Sequence, residues 1–109
     1  MEKSELMLYS CIKNEIKRLC EEKAIYIRAE DKKQVEQTEK NIDILECRKE
    51  KIERFIQEIE DPIVRKIFRY RYLKTERRVR SWYSVANKIG GGNTADGVRK
   101  MHDRYLKKC

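Results

Sequence analysis

The sequence predicts an all-α protein, with a long N-terminal helical hairpin or coiled coil followed by a C-terminal three-helix helix-turn-helix domain. Three observations carry this. Charged residues make up 42% of the chain and only one proline is present, a composition that suits long helices rather than a sheet. From Ser4 to Glu60 there is neither glycine nor proline, and apolar residues recur there at spacings of three and four. The charge is uneven: residues 1–61 hold 13 Lys/Arg against 16 Asp/Glu, a net −3, whereas residues 62–109 hold 14 against 3, a net +11. A basic half of this kind is suited to a polyanion, and the other half need not meet one. The expected division is therefore 1–60 as a hairpin or coiled-coil oligomerisation region and 61–109 as a DNA-binding domain.

In the first helix, expected from about residue 3 to about residue 28, Tyr9, Ile12, Ile16, Leu19 and Tyr26 share one face, with Lys23 interrupting it. Leu8, Cys20 and Ile27 widen that stripe. The period is lost across Arg28 to Gln34, which is polar apart from Ala29, and a turn is placed there. A second helix is expected over about 36–60, because Val35, Thr38, Ile42, Leu45, Lys49, Ile52, Ile56 and Ile59 follow a heptad pattern with Phe55 alongside. Thr38 and Lys49 are its weak positions. Glu46, Glu50 and Arg54 belong to a solvated outer face. Two amphipathic helices bury little by themselves, so residues 1–60 are expected to self-associate. The alternatives are one continuous helix pairing with a second subunit, and packing back onto the C-terminal helices.

Asp61-Pro62 punctuates the chain. Aspartate suits a helix N-cap, and proline is tolerated at the first helical position, where its missing N–H would be unpaired anyway. A third helix should run from Pro62 to about Leu73, with Val64, Ile67, Phe68 and Tyr72 turned inward. Arg71 lies near that face and is expected to pair with an acid or a backbone carbonyl. The segment Lys74 to Arg80 lacks an apolar period. Its Arg77, Arg78 and Arg80, together with Lys107 further on, are candidate DNA phosphate contacts, which fix orientation without reading sequence.

The densest signal is Ser81 to Leu106. Ser81 can cap a helix on which Trp82, Val85, Ala86 and Ile89 fall at i, i+3, i+4 and i+7. Gly90, Gly91 and Gly92 end it, since glycine enters the left-handed region at little cost. Asn93 or Thr94 caps the next helix, whose inner stripe is Val98, Met101 and Tyr105 with Leu106 beside it. Arg99, Lys100, Asp103 and Lys107 lie outside the stripe. Two short helices, a tight turn and a basic outer face form a helix-turn-helix that could enter a major groove. Asn93, Thr94, Asp96, Arg99 and Lys100 are the candidate base readers within a recognition segment from Asn93 to Asp103. The bland reading of the same pattern is an ordinary helical hairpin with a solvated basic face. Gly97 stands inside the last helix, where glycine costs about 1 kcal/mol relative to alanine; it is expected to admit DNA or another helix closely.

Val98-Arg99, Met101, Arg104-Tyr105-Leu106 and Lys108 resemble the last helix of region four in bacterial sigma factors. The run from Asp61 to Lys108 is more similar still to small phage and prophage proteins of Gram-positive bacteria with a sigma-like helix-turn-helix, the late-gene transcription regulators of the RinA and ArpU type. Arg65, Ile67, Arg71-Tyr72, Ser81-Trp82, Val85-Ala86, Gly90 to Asp96 and Val98-Arg99 carry this likeness. Region four presents Arg and Glu to bases at the start of its last helix; here those positions hold Ala95 and Asp96, so the acid carries over and the arginine does not. The resemblance implies a sequence-specific double-stranded DNA-binding transcription regulator. It allows a contact with host RNA polymerase, which region four also meets. The runner-up is a viral DNA-packaging oligomer of the small terminase kind, although those proteins usually place the DNA-binding part first.

Other classes are disfavoured. The longest unbroken apolar run is four residues, as in Ala24 to Ile27, so neither a transmembrane helix nor a signal peptide is expected and the chain is assigned to the cytoplasm. Cys11, Cys20, Cys47 and Cys109 form no CxxC pair and His102 is the only histidine, which argues against a metal site. Reduced thiols are expected, with Cys11, Cys20 and Cys47 as small core or seam residues. No nucleophile–base pattern appears, and the glycine run lacks the lysine and strand of a nucleotide loop. Neither enzymatic activity nor a cofactor is expected.

Overall fold

A computed structural model describes residues 1–75 and 79–108; Arg77, Arg78 and Cys109 lie outside them. The described chain is all-helical: α1 (Lys3–Met7), α2 (Tyr9–Arg28), α3 (Lys32–Gln57), α4 (Pro62–Phe68) continued by a π-helical turn (Arg69–Leu73), α5 (Trp82–Ile89) and α6 (Ala95–Lys108). No helix among the described residues is long and apolar enough to cross a membrane.

The chain reverses across Ala29 to Asp31. Glu30 takes a left-handed φ of 55°, and the Asp31 side chain accepts a hydrogen bond from the Gln34 N–H, capping α3. α3 therefore begins at Lys32, earlier than its apolar period suggests, because a capping aspartate rather than the first core residue starts it. α2 and α3 run antiparallel: Tyr9 donates to Glu53 Oε2 at 2.6 Å near one end, and Lys23 Nζ lies 3.1 Å from Glu39 near the other. The weak seam positions have local answers. Thr38 is buried and its hydroxyl donates to the Gln34 carbonyl at 2.7 Å, while Lys49 lies between Glu46 and Glu53.

The wider seam drawn from the sequence is corrected. Cys11, Cys20 and Cys47 are exposed, as are Leu8 and Ile27. A two-helix layer encloses only a narrow stripe, so flanking apolar residues are left at the surface.

The main core joins both ends of the chain. Leu6, Tyr9 and Ile12 pack with Ile52, Ile56 and Ile59, and with Phe68 and Tyr72; Tyr105 and Leu106 close over them. The bases of α2 and α3 thus lie against α4 and α6, and the rest of the hairpin projects. The radius of gyration, 17.2 Å, exceeds the about 13 Å of a compact chain of this length. A second, smaller core of Ile67, Val85, Ala86 and Val98, flanked by Tyr70, Trp82, Ile89 and Met101, holds α4, α5 and α6 together.

Candidate nucleic-acid interface

Local chemistry sets the position of α6. Asp61 Oδ1 accepts from the Ile63 and Val64 N–H groups and starts α4 at Pro62. Ser81 Oγ accepts from the Ser84 N–H and starts α5. Gly90, Gly91 and Gly92 all take positive φ, 73°, 64° and 78°, which lets the turn fold tightly. Thr94 Oγ1 then accepts from the Gly97 N–H at 3.0 Å and caps α6. This explains Gly97: a Cβ there would stand 3.1 Å from that same hydroxyl. The close neighbour is the helix's own cap rather than a second helix.

Behind α6 lies a polar network inside an aromatic box. His102 is fully buried. Its Nδ1 lies 2.9 Å from Asp103 Oδ1 and its Nε2 2.6 Å from the Tyr72 hydroxyl. Phe68 stacks on the imidazole with centroids 4.6 Å apart, and the Trp82 ring lies edge-on at 4.7 Å. Burial pushes the His102 pKa below the ordinary imidazole range, outweighing the bond to Asp103; the charges of Lys3 and Arg71 push the same way. Burial also pushes the Tyr72 hydroxyl up to about 12. A neutral imidazole with its proton on Nδ1 satisfies both partners: Nδ1–H donates to the carboxylate, and Nε2 accepts from tyrosine.

Two arginines brace the segment ahead of α5. Arg71 is buried, its guanidinium carbon 4.0 Å from the Trp82 ring centroid. It donates through Nη1 to the Arg80 carbonyl, while the Arg80 N–H donates back to the Arg71 carbonyl at 3.0 Å. Arg71 Nε is buried without a hydrogen-bond partner, and the cation–π contact lessens that cost. Arg80 in turn donates to the Tyr70 and Lys74 carbonyls and to Ser84 Oγ. Its guanidinium, expected at a phosphate, is thus engaged within the protein. Of the other expected phosphate contacts, Lys107 is exposed on α6, and Arg77 and Arg78 lie outside the described residues.

The five expected base readers all stand at the start of α6, and all are exposed. Asn93 donates to the Gly90 carbonyl at 2.8 Å and so stabilises the turn. Thr94 is the cap. Asp96 holds the other two: Arg99 Nη2 is 2.7 Å from its Oδ1 and Lys100 Nζ 3.0 Å from its Oδ2. Hydrogen bonds from Arg99 and then Lys100 keep the Asp96 carboxyl below the usual carboxylate range. The outer face of α6 thus offers Arg99, Lys100, Arg104 and Lys107 against Asp96 and Asp103. Two residues here fall outside the sequence expectations. His102 was assigned no structural place, although it stands four residues after Val98 and completes the inner stripe. Lys3, on α1, is brought to the flank of α6 only by the tertiary fold. No group of His, Cys, Asp and Glu among the described residues could hold a metal ion.

Compared with known protein families, with curated proteins and with solved structures, the chain matches none.

Proposed function

We propose that this protein is a sequence-specific, double-stranded DNA-binding transcription regulator of the phage or prophage type, with α5, the glycine turn and α6 acting as its helix-turn-helix. The observation that supports this best is the outer face of α6: Arg99, Lys100, Arg104 and Lys107 stand exposed on a helix whose inner face is locked by Val98 and His102. A rigid helix with its cationic side chains outward can lie in a major groove, its first turns meeting base edges. The net +11 on residues 62–109 supplies the long-range attraction. The likeness of Asp61 to Lys108 to sigma-type regulators supports the regulatory role and a contact with host RNA polymerase. Self-association falls to the projecting part of the hairpin, where Ile25, Ile27 and Ile44 are more than half exposed.

Selection of bound sequences from a random duplex pool tests the reading. A defined preferred site is expected, and Arg99→Ala should flatten the preference, because an arginine gripping guanine O6 and N7 is worth about 1–3 kcal/mol of discrimination. A pool that emerges unenriched from the unmodified protein sinks the proposal.

A further inference from the structure

The N-terminal helix carries a feature that the charge division of the sequence conceals. Residues 1–61 are net −3, but the hairpin over 9–57 is nearly balanced, 12 Lys/Arg against 11 Asp/Glu, and the excess acids are Glu2, Glu5, Glu58, Glu60 and Asp61. Leu6 is fully buried in the core that Tyr105 and Leu106 close, with Met1 packed against it. This brings the start of α1 beside α6, and the groove between them is lined by Lys3, Lys100, Arg104 and Lys107. Lys3 stands close enough to the base of α6 for its charge to depress the His102 pKa. The acids of this groove are Glu2 and Asp103, and Asp103 already accepts from His102. The opposite flank of α6 differs in sign. There Arg104 and Lys108 face Glu58, Glu60 and Asp61, at the junction of α3 and α4. That flank carries three acids against two cations, whereas the α1 side carries four cations against two acids, so the α1 side is the better suited to a phosphate backbone.

We infer that α1 forms the second wall of the nucleic-acid interface, with Lys3 contacting the phosphate backbone of the duplex on the α1 side of α6. This rests on the DNA-binding reading above. Lys3 would work with Lys107 as an orienting contact carrying no sequence information. The α3–α4 junction would turn the duplex away from the other flank.

Binding of the selected duplex and of a random-sequence duplex, followed by fluorescence anisotropy over a series of salt concentrations, tests this. For Lys3→Ala the slope of log K against log salt should fall by about 0.9, with both duplexes weakened by the same factor. Lys3→Gln, which keeps the length of the side chain without its charge, should behave identically. Lys40→Ala, on the hairpin, should leave the slope at the wild-type value. If Lys3→Ala and Lys3→Gln keep the wild-type slope while Lys107→Ala lowers it, α1 is no part of the interface and the inference fails alone. If the unmodified protein binds neither duplex, the DNA-binding reading itself fails.

Discussion

The Tyr72 hydroxyl lies 2.6 Å from His102 Nε2, in a site from which solvent is excluded. This bond ties the π-helical turn to α6, and neither group can find a water molecule in its place. Tyr72→Phe leaves the imidazole nitrogen without its donor. An unsatisfied buried acceptor costs about 1–3 kcal/mol, so the variant should unfold at lower denaturant concentration with an unchanged m-value. An unchanged midpoint shows that the hydroxyl contributes nothing to holding α6.

The same network makes stability depend on pH. The folded state holds His102 below its unfolded pKa of about 6.5. As pH falls through that value, the unfolded chain takes up a proton that the folded protein resists. Stability should therefore be lost as pH falls below about 6.5, with a slope approaching 1.4 kcal/mol per pH unit, until the lower folded pKa is reached. His102→Gln offers an amide that can accept from Tyr72 and donate to Asp103, and it should remove this slope. Denaturant midpoints at several pH values between neutrality and the carboxylate range decide it. A slope that persists in His102→Gln assigns the effect to another group.

Thr94 and Gly97 should be energetically coupled. Thr94→Ala removes the cap of α6 and should cost about 1 kcal/mol. Gly97→Ala gains about 1 kcal/mol of helix propensity but drives its methyl toward the cap oxygen, 3.1 Å away. Alone it should be close to neutral, and on a Thr94→Ala background it should stabilise. A double-mutant cycle by thermal melt reads the coupling directly. Simple additivity means the cap tolerates a side chain at position 97.

Asp96 is the hinge of the proposed reading surface, because it holds Arg99 and Lys100 together. Asp96→Asn releases both cations and removes an anion from the proposed reading surface. Affinity for random duplex should rise and the salt slope steepen, while discrimination between preferred and random sites should shrink. Should discrimination stay at the wild-type ratio, Asp96 neither reads bases nor positions the side chains that do.

Most helix ends were legible because their signals are local, but the break at Leu8, which divides the single helix expected over about 3–28 into α1 and α2, was not. Asp61 before Pro62, Ser81 before Trp82, and three consecutive glycines mark ends that depend only on neighbouring residues, and the structure places caps and positive φ at those points. Asp31 offers the same signal, but it sits within a polar run and stands four residues before the first heptad position, so α3 is expected to start and end later than it does, at about 36 and 60 rather than at Lys32 and Gln57. The partners of Arg71 and Arg80 were less legible, since a guanidinium on a carbonyl leaves no charge pattern in sequence. The exposed cysteines were misjudged for a related reason. Periodicity gives the direction of a face but not its width, and the width of this stripe is set by a single facing helix. Lys3 could not be assigned at all, because its neighbours on α6 lie about a hundred positions away in the chain.

Leu6 and Leu106 share one core, and this governs how the chain must be made. At synthesis rates of about 5–20 residues per second, roughly 5–20 seconds separate the first of these residues from the last. For that interval Leu6, Tyr9 and Ile12 have only part of their final surroundings, supplied first by Ile52 and Ile56. The nascent hairpin is a waiting state whose sticky base is covered only once the final helix emerges. Chains truncated anywhere before Tyr105 should consequently be the ones that recruit chaperones or clump.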